Sequence, residues 1–135
     1  MKKTLFLAAV LATFCQMASA FNLQEVKVYS EAMQKDVPVS VITPDSYDGV
    51  KIYPVVYLLH GYSDNHKKWA VDGHVGRLAD QYDVMVVMPD GGFSSWYFDS
   101  PVMPEYKYET FVSKELIAYV DGNFKTVADR GARAI

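Results

Sequence analysis

Two segments near the start of the chain alternate apolar and polar residues, a pattern typical of strands that bury one face. They run from Leu23 to Ser30 and from Val37 to Ile42. Glu31 to Asp36, between them, is polar and short enough to form a turn. The pattern therefore predicts an antiparallel β-hairpin. Because Pro38 has no N–H to donate to a ladder, we expect the hairpin at a sheet edge.

Two later runs are apolar without interruption. They are Val55 to Leu59, which includes Tyr57, and Val84 to Met88. A continuous apolar run suits a strand buried on both faces, as in a parallel sheet. Each run ends in a glycine turn, at His60-Gly61-Tyr62 and at Pro89-Asp90-Gly91-Gly92. We expect Tyr53 to Leu59 to be the central strand.

Apolar residues then recur at spacings of three and four in two segments, which predicts helices. The first extends from Trp69 to Tyr82, and the second, from Tyr108 to Phe124, is the clearest amphipathic helix. Glu115 lies among the apolar positions of the second helix and is predicted to be a hydrogen-bonded carboxylate at its flank. Ala132 to Ile135 resembles the start of another strand. The order β-β-β-α-β-α-β predicts an α/β fold with right-handed crossovers.

The first twenty residues have the pattern of a secretory signal peptide. Lys2-Lys3 is positive, Leu5 to Phe14 is apolar, and Ala18-Ser19-Ala20 is a small-residue cleavage site. The apolar stretch is too short to span a bilayer as a helix. We expect residues 1–20 to be removed and the protein to be secreted or periplasmic.

Net charge and cysteine content limit the kinds of ligand and partner that we expect for this protein. Removal of Lys2 and Lys3 leaves 11 basic residues against 16 acidic ones, a net charge of −5. This balance argues against nucleic acid as a partner. Cys15 is the only cysteine, and cleavage after Ala20 would remove it. We therefore expect no disulfide, no thiolate metal site, no cofactor and no stable membrane anchor.

The turn His60-Gly61-Tyr62 is the strongest candidate for chemistry. Ligands bind outside the carboxyl ends of strands in open α/β sheets. One interpretation is that the backbone N–H groups after Gly61 hold a developing oxyanion, with the bare glycine admitting a substrate carbonyl. The other is a β-to-α turn that uses Gly61 for positive φ. The motif alone does not decide between them.

Other side chains give weaker signals. Trp96 and Tyr97 suit an aromatic platform for a sugar or aryl group, although core packing or loop anchoring explains them equally well. The spacing of the three histidines matches no metal-ligand pattern. The sequence contains no G-x-S-x-G nucleophile motif. The serines that lack this context are Ser63, Ser94, Ser95 and Ser113.

Three segments together resemble the esterase D-like family of α/β-hydrolases, which includes S-formylglutathione hydrolases, feruloyl and acetyl-xylan esterases and antigen 85 type mycolyltransferases. The segments are YPVVYLLHGYSDN, VMVVMPDGGFSSWYFDSP and YETFVSKELIAYVDGNFKT. The resemblance covers Val37 to Ile135. It implies a Ser-His-Asp/Glu triad, with Tyr62 supplying one oxyanion-hole N–H. It also places Gly61, Trp96 and Tyr97 on the substrate side.

The resemblance further implies that residues 21–135 form a truncated domain, the N-terminal half of an α/β-hydrolase fold. An antiparallel β-hairpin would lead into a parallel sheet with crossover helices. The expected function is that of a secreted serine ester hydrolase using an acyl-enzyme, acting on small-molecule esters or on polysaccharide-linked acetyl or feruloyl esters. Without its nucleophile the chain is expected to be inactive. The alternatives are a non-enzymatic secreted carbohydrate-binding or interaction module, and an acyltransferase of the antigen 85 type.

Overall fold

The computed structural model describes residues 21–71 and 74–135. The predicted signal peptide, residues 1–20, lies outside this part of the chain. Five strands form one mixed sheet in the order β1-β2-β4-β3-β5. Their bounds are β1 Asn22–Ser30, β2 Lys35–Thr43, β3 Val55–Tyr57, β4 Met85–Pro89 and β5 Arg133–Ala134.

The strand directions confirm the predicted α/β architecture. β1 and β2 form the antiparallel hairpin, and β2 also pairs with β4 in antiparallel fashion. β3 lies parallel to both β4 and β5, and helices join these strands. The hairpin therefore leads into a parallel sheet, as the sequence predicted.

The hairpin lies at an edge of the sheet, as Pro38 predicted, although Pro38 itself is on the inner strand of the hairpin. β2 lies between β1 and β4, so among the described strands only its hairpin partner β1 is at that edge. Pro38 is tolerated because it lies one residue beyond the last β2–β4 pair, Val39 with Pro89. Its carbonyl still accepts a hydrogen bond from the Asp90 N–H at 2.9 Å. The β2–β4 ladder therefore ends before it would need an N–H from Pro38.

β4, and not the strand after Tyr53, is the middle one of the five described strands. All five of its residues are buried, and they alternate between the two faces of the sheet. Met85 and Val87 pack into a larger core with Phe111. Val86 and Met88 pack on the opposite face in a smaller cluster. β3, within the predicted central strand Tyr53 to Leu59, lies inside the sheet between β4 and β5 and one place from the middle of the five described strands.

Two helical regions cover the sheet. The first comprises α1 (Lys68–Val71) and α2 (His74–Tyr82), of which only Gly76 and Ala79 are buried. The second comprises α3 (Tyr108–Thr110), a π-helical turn (Phe111–Glu115) and α4 (Leu116–Asn123). Five of the six apolar positions that gave the spacing are buried, and the sixth, Tyr119, is half-buried. The buried ones are Tyr108, Phe111, Val112, Leu116 and Val120. Within the described residues, no helix has the length and apolar character needed to cross a bilayer.

Glu115 ties the second helical region to the hairpin, which confirms the prediction of a hydrogen-bonded carboxylate. Its Oε2 accepts a hydrogen bond from Ser30 Oγ at 2.5 Å, and its Oε1 accepts one from the Ala32 N–H at 2.9 Å. Ser30 Oγ in turn accepts from the Met33 N–H at 3.1 Å. One carboxylate at the end of the π-helical turn therefore organises the β1–β2 turn.

Replacing Glu115 with alanine is expected to destabilise the protein by about 1–3 kcal/mol, because the part-buried Ser30 hydroxyl and Ala32 N–H lose their acceptor. Urea unfolding measures the change in free energy. Glu109→Ala, an exposed position of α3, is the matched control and should change the free energy of unfolding by less than about 0.5 kcal/mol. Equal effects of the two substitutions would contradict the role given to Glu115.

Candidate active site

The turn that follows β3 presents two free backbone donors. The His60 N–H donates to the Tyr97 hydroxyl at 3.1 Å, and the Ser63 N–H donates to the Phe93 carbonyl at 2.9 Å. Between them, the N–H groups of Gly61 and Tyr62 have no acceptor among the described residues. The flanking hydrogen bonds fix the turn and leave these two donors available to a ligand.

The ring of His60 joins this turn to the loop after β4. Its Nε2 accepts a hydrogen bond from the Gly91 N–H at 2.8 Å, so the ring proton lies on Nδ1, which donates to the Gly61 carbonyl at 2.8 Å. The residue is buried. Because both ring nitrogens are occupied, His60 cannot act as a general base in this arrangement. It is a structural link between the carboxyl ends of β3 and β4.

The loop after β4 holds its shape through local hydrogen bonds. Asp90 Oδ1 accepts from the Gly92 N–H at 2.8 Å. The buried Ser95 hydroxyl accepts from the Tyr97 N–H at 3.1 Å and donates to the Gly91 carbonyl. These bonds support two consecutive residues in the left-handed region, Trp96 at φ +52° and Tyr97 at φ +54°. Such a conformation costs about 1–3 kcal/mol for each bulky residue.

Asp99 fixes the far end of this loop to the second helical region. Its carboxylate accepts from the Thr110 N–H at 3.1 Å and from Thr110 Oγ1 at 2.6 Å. Partial burial acts to raise the Asp99 pKa, but the two Thr110 hydrogen bonds outweigh it and hold the pKa below its usual value. The loop is therefore fixed at both ends, by the bond of the Gly91 N–H to His60 and by the bonds of Asp99 to Thr110.

Tyr97 lies behind the turn, and the described contacts make it a loop anchor. Its hydroxyl accepts from the His60 N–H, and its ring meets the His60 ring edge-on at 5.7 Å. Burial raises the pKa of Tyr97 to about 12, so the phenol keeps its proton at all physiological pH values. Its predicted contact with substrate stays a prediction.

Three aromatic side chains lie on the outer side of the same turn. Tyr62 contacts Phe93 with ring centroids 5.0 Å apart and Trp96 with centroids 6.4 Å apart. All three are exposed. Beside them is a cavity of about 160 Å³. It is lined by His60, Gly61, Tyr62, Gly92, Phe93, Ser94, Ser95, Trp96 and Tyr97.

The backbone of Gly61 does not have a positive φ, so the turn does not require glycine at this position for its conformation. The glycines with positive φ among the described residues are Gly49 and Gly92, so the interpretation of Gly61 as a positive-φ turn residue is wrong. A Cβ added at Gly61 would have no neighbour within 4 Å. The space above this residue is open, as required for the close approach of a substrate carbonyl.

The described residues supply donors but no activated nucleophile. Ser95 is buried and bonded within its own loop, and no hydrogen bond joins a serine hydroxyl to a histidine in the described ranges. His66 lies 3.4 Å from Asp90, but its other nitrogen faces Glu25 at 3.7 Å. The three histidines do not converge, and no cluster suited to a metal ion occurs in residues 21–71 and 74–135.

The sequence pointed to Gly61, Tyr62, Trp96 and Tyr97, and the structure brings all four to one cavity. It missed Phe93 and the structural role of Ser95. Phe93 carried no signal because its partner, Tyr62, belongs to a different strand-to-helix connection. The sequence around Ser95 does not reveal its role. That role depends on the left-handed backbone of Tyr97, which only the structure shows.

Comparisons with known proteins agree on one family. The family model described as "Putative esterase" matches residues 30–135. An endo-1,4-beta-xylanase/feruloyl esterase of Xylanibacter ruminicola is 32% identical over 127 residues, which cover 84% of this chain. A diacylglycerol acyltransferase/mycolyltransferase Ag85A of Mycobacterium gordonae is 32% identical over 132 residues, or 87% of this chain.

Among solved structures, a ferulic acid esterase superposes with a TM-score of 0.75 at 28% identity and covers 88% of this chain. The fold is thus that of an α/β-hydrolase. The chain spans less than half the length of each of these three proteins: 18% of the xylanase/feruloyl esterase, 37% of the acyltransferase and 48% of the ferulic acid esterase.

Two glycine substitutions should distinguish a glycine packed against a side chain, Gly91, from one that faces open space, Gly61. Gly91→Ala is expected to destabilise the protein by about 1–3 kcal/mol, because its Cβ would lie 2.3 Å from the Tyr97 ring. Gly61→Ala is the matched control and should leave stability unchanged or raise it by up to about 1 kcal/mol. Urea unfolding of both variants measures the difference. A large loss of stability in Gly61→Ala would contradict an open space above the turn.

Proposed function

This chain belongs to the esterase family whose model matches residues 30–135, and on that premise we propose that it forms the oxyanion-binding half of a serine carboxylic-ester hydrolase. The observation that carries the proposal is the pair of free N–H groups at Gly61 and Tyr62. The flanking N–H groups of His60 and Ser63 are both bonded. Donors fixed in advance stabilise developing charge without reorganisation during the reaction.

In the proposed reaction the ester carbonyl approaches over Gly61, where no side chain intervenes. As a serine attacks, charge develops on the carbonyl oxygen and the Tyr62 N–H donates a hydrogen bond to it. Family resemblance assigns the second donor to the residue after the nucleophile. Collapse of the tetrahedral intermediate expels the alcohol and leaves an acyl-enzyme, which water hydrolyses.

The serine, its histidine base and the orienting carboxylate are proposed to lie outside these 135 residues. No G-x-S-x-G motif occurs in them, and the ring of His60 is fully occupied by Gly91 and Gly61. By resemblance, β5 corresponds to the strand that leads to the nucleophile. We therefore infer that the chain by itself does not hydrolyse esters.

The proposed substrates are esters of plant polysaccharides, with acetyl or feruloyl groups as the acyl part. The support is the relative whose name joins a xylanase to a feruloyl esterase. The acyltransferase alternative has support only from the relative of that name, and its acceptor would take the place of water.

The function is tested with p-nitrophenyl acetate. The purified chain should show no turnover above background. A chimera in which residues 21–135 replace the matching half of a ferulic acid esterase should hydrolyse the ester. Tyr62→Pro in the chimera removes one N–H and should lower kcat by about 10²–10³-fold.

Tyr62→Phe, which keeps the backbone donor, is the matched control and should retain most of the chimera's kcat. Equal losses in the two variants would refute the oxyanion role of the Tyr62 N–H. Turnover by the unmodified chain would refute the assignment of the nucleophile to another segment.

We also propose that the protein is exported and that cleavage follows Ala20. The support is the arrangement of Lys2-Lys3, the apolar stretch and Ala18-Ser19-Ala20. Intact mass of the protein recovered from a bacterial periplasm should correspond to a chain that begins at Phe21. Ala18→Arg together with Ala20→Arg should block cleavage, whereas retention of residues 1–20 by the unmodified protein would disprove it.

A further inference from the structure

The Tyr97 hydroxyl contacts the backbone of His60 on both sides of its Cα. It accepts a hydrogen bond from the His60 N–H at 3.1 Å and donates one to the His60 carbonyl at 3.3 Å. A hydroxyl can do both, because it has one proton to donate and two lone pairs. The N–H and the carbonyl belong to successive peptide units, so one side-chain oxygen holds two units of the turn.

Bonds to the carbonyls of this turn fix the directions of its two free N–H groups. A trans peptide unit is planar, so its C=O and its N–H point in opposite directions. Because the His60 carbonyl is turned toward Tyr97, the Gly61 N–H of the same unit points away from Tyr97. In the next unit the Gly61 carbonyl accepts from His60 Nδ1 at 2.8 Å. The Tyr62 N–H therefore points away from the His60 ring.

The peptide unit before these two is bonded at both of its polar groups. Trp69, on α1, donates from its Nε1 to the Leu59 carbonyl at 3.0 Å. The N–H of the same unit is that of His60, which donates to the Tyr97 hydroxyl. Three consecutive peptide units thus have bonded carbonyls, and in the last two the N–H groups have no acceptor among the described residues.

Tyr97 is itself held firmly by its own loop. Its left-handed backbone, at φ +54°, is supported by the hydrogen bond from its N–H to Ser95 Oγ at 3.1 Å. Its ring packs directly on Gly91, where an added Cβ would lie 2.3 Å away. Burial raises the pKa of Tyr97 to about 12, so the hydroxyl keeps the proton that it donates to the His60 carbonyl. These contacts are internal to the turn and the loop, and none of them requires an exposed surface.

We propose that Tyr97 is a positioning residue of the oxyanion site, whose hydroxyl orients the Gly61 N–H directly and the Tyr62 N–H through His60. The inference rests on the proposed function and adds the residue that holds the donors in place before an ester binds. The family resemblance places Tyr97 on the substrate side, whereas in this proposal its hydroxyl acts through the backbone. Donors held in this way need no reorganisation as charge develops.

Tyr97→Phe tests the inference, because it keeps the ring and removes only the hydroxyl. In the chimera that carries residues 21–135, it should lower kcat for p-nitrophenyl acetate roughly tenfold, less than the loss of a donor itself. KM should stay unchanged, because the hydroxyl contacts the backbone and not the ester.

Tyr47→Phe is the matched control. The Tyr47 hydroxyl also accepts from a backbone N–H at 3.1 Å, that of Lys125, and its ring packs on Tyr53, before the start of β3. Both substitutions remove one hydroxyl from a half-buried tyrosine, but Tyr47→Phe should leave kcat unchanged. An equal loss of kcat in the two variants would contradict the inference, and so would a rise in KM with kcat unchanged in Tyr97→Phe, which would assign the hydroxyl to the substrate.

Order parameters from ¹⁵N relaxation of the purified chain measure the orientation of the donors without a reaction. The amides of Gly61 and Tyr62 should have values near about 0.85, which is typical of rigid backbone. In Tyr97→Phe both values should fall toward about 0.6, whereas Tyr47→Phe should leave them unchanged. Unchanged order parameters in Tyr97→Phe would overturn the inference.

Failure of this inference differs from failure of the proposed function. If Tyr62→Pro lowers kcat in the chimera and Tyr97→Phe does not, the donor role of Tyr62 stands and the positioning role of Tyr97 is overturned. If Tyr62→Pro leaves kcat unchanged, the donor role fails, and the order parameters by themselves decide whether Tyr97 holds the turn.

Discussion

The hydrogen bonds of His60 are the interaction on which the site depends. A buried ring accepts from the Gly91 N–H and donates to the Gly61 carbonyl, while the backbone N–H of the same residue reaches the Tyr97 hydroxyl. Two loops from neighbouring parallel strands are thereby fixed against each other. Loss of these bonds would leave buried polar groups without partners, which costs more than an ordinary exposed hydrogen bond contributes. The free donors at Gly61 and Tyr62 owe their position to this link.

The same link supports the strained conformations around it. Left-handed backbones at Ser63, Trp96 and Tyr97 cost energy that local contacts must offset. Ser95, Asp90 and the Phe93 carbonyl provide those contacts through short-range hydrogen bonds. The result is a site with its polar donors on one side of the turn and its aromatic rings on the other.

The scaffold places these loops at the carboxyl ends of β3 and β4, where open α/β sheets bind ligands. β4 is buried on both faces, and the second helical region covers one of them. Glu115 extends that cover to the β1–β2 turn. Packing therefore positions the two free N–H donors of Gly61 and Tyr62 at this edge of the sheet.

The sequence by itself determined the element order, the hairpin, the buried faces and the region of the site, because apolar periodicity and glycine turns are local signals. It also favoured a hydrogen-bonded carboxylate at Glu115, because this residue lies among the apolar positions of its helix. Only the tertiary structure decided which strand is central, since strand order depends on contacts distant in sequence. It alone showed that the space above Gly61 is open, that His60 links two loops, and that Tyr97 faces inward while Phe93 contacts Tyr62. These facts rest on two loops meeting in space, which no periodicity along one segment encodes.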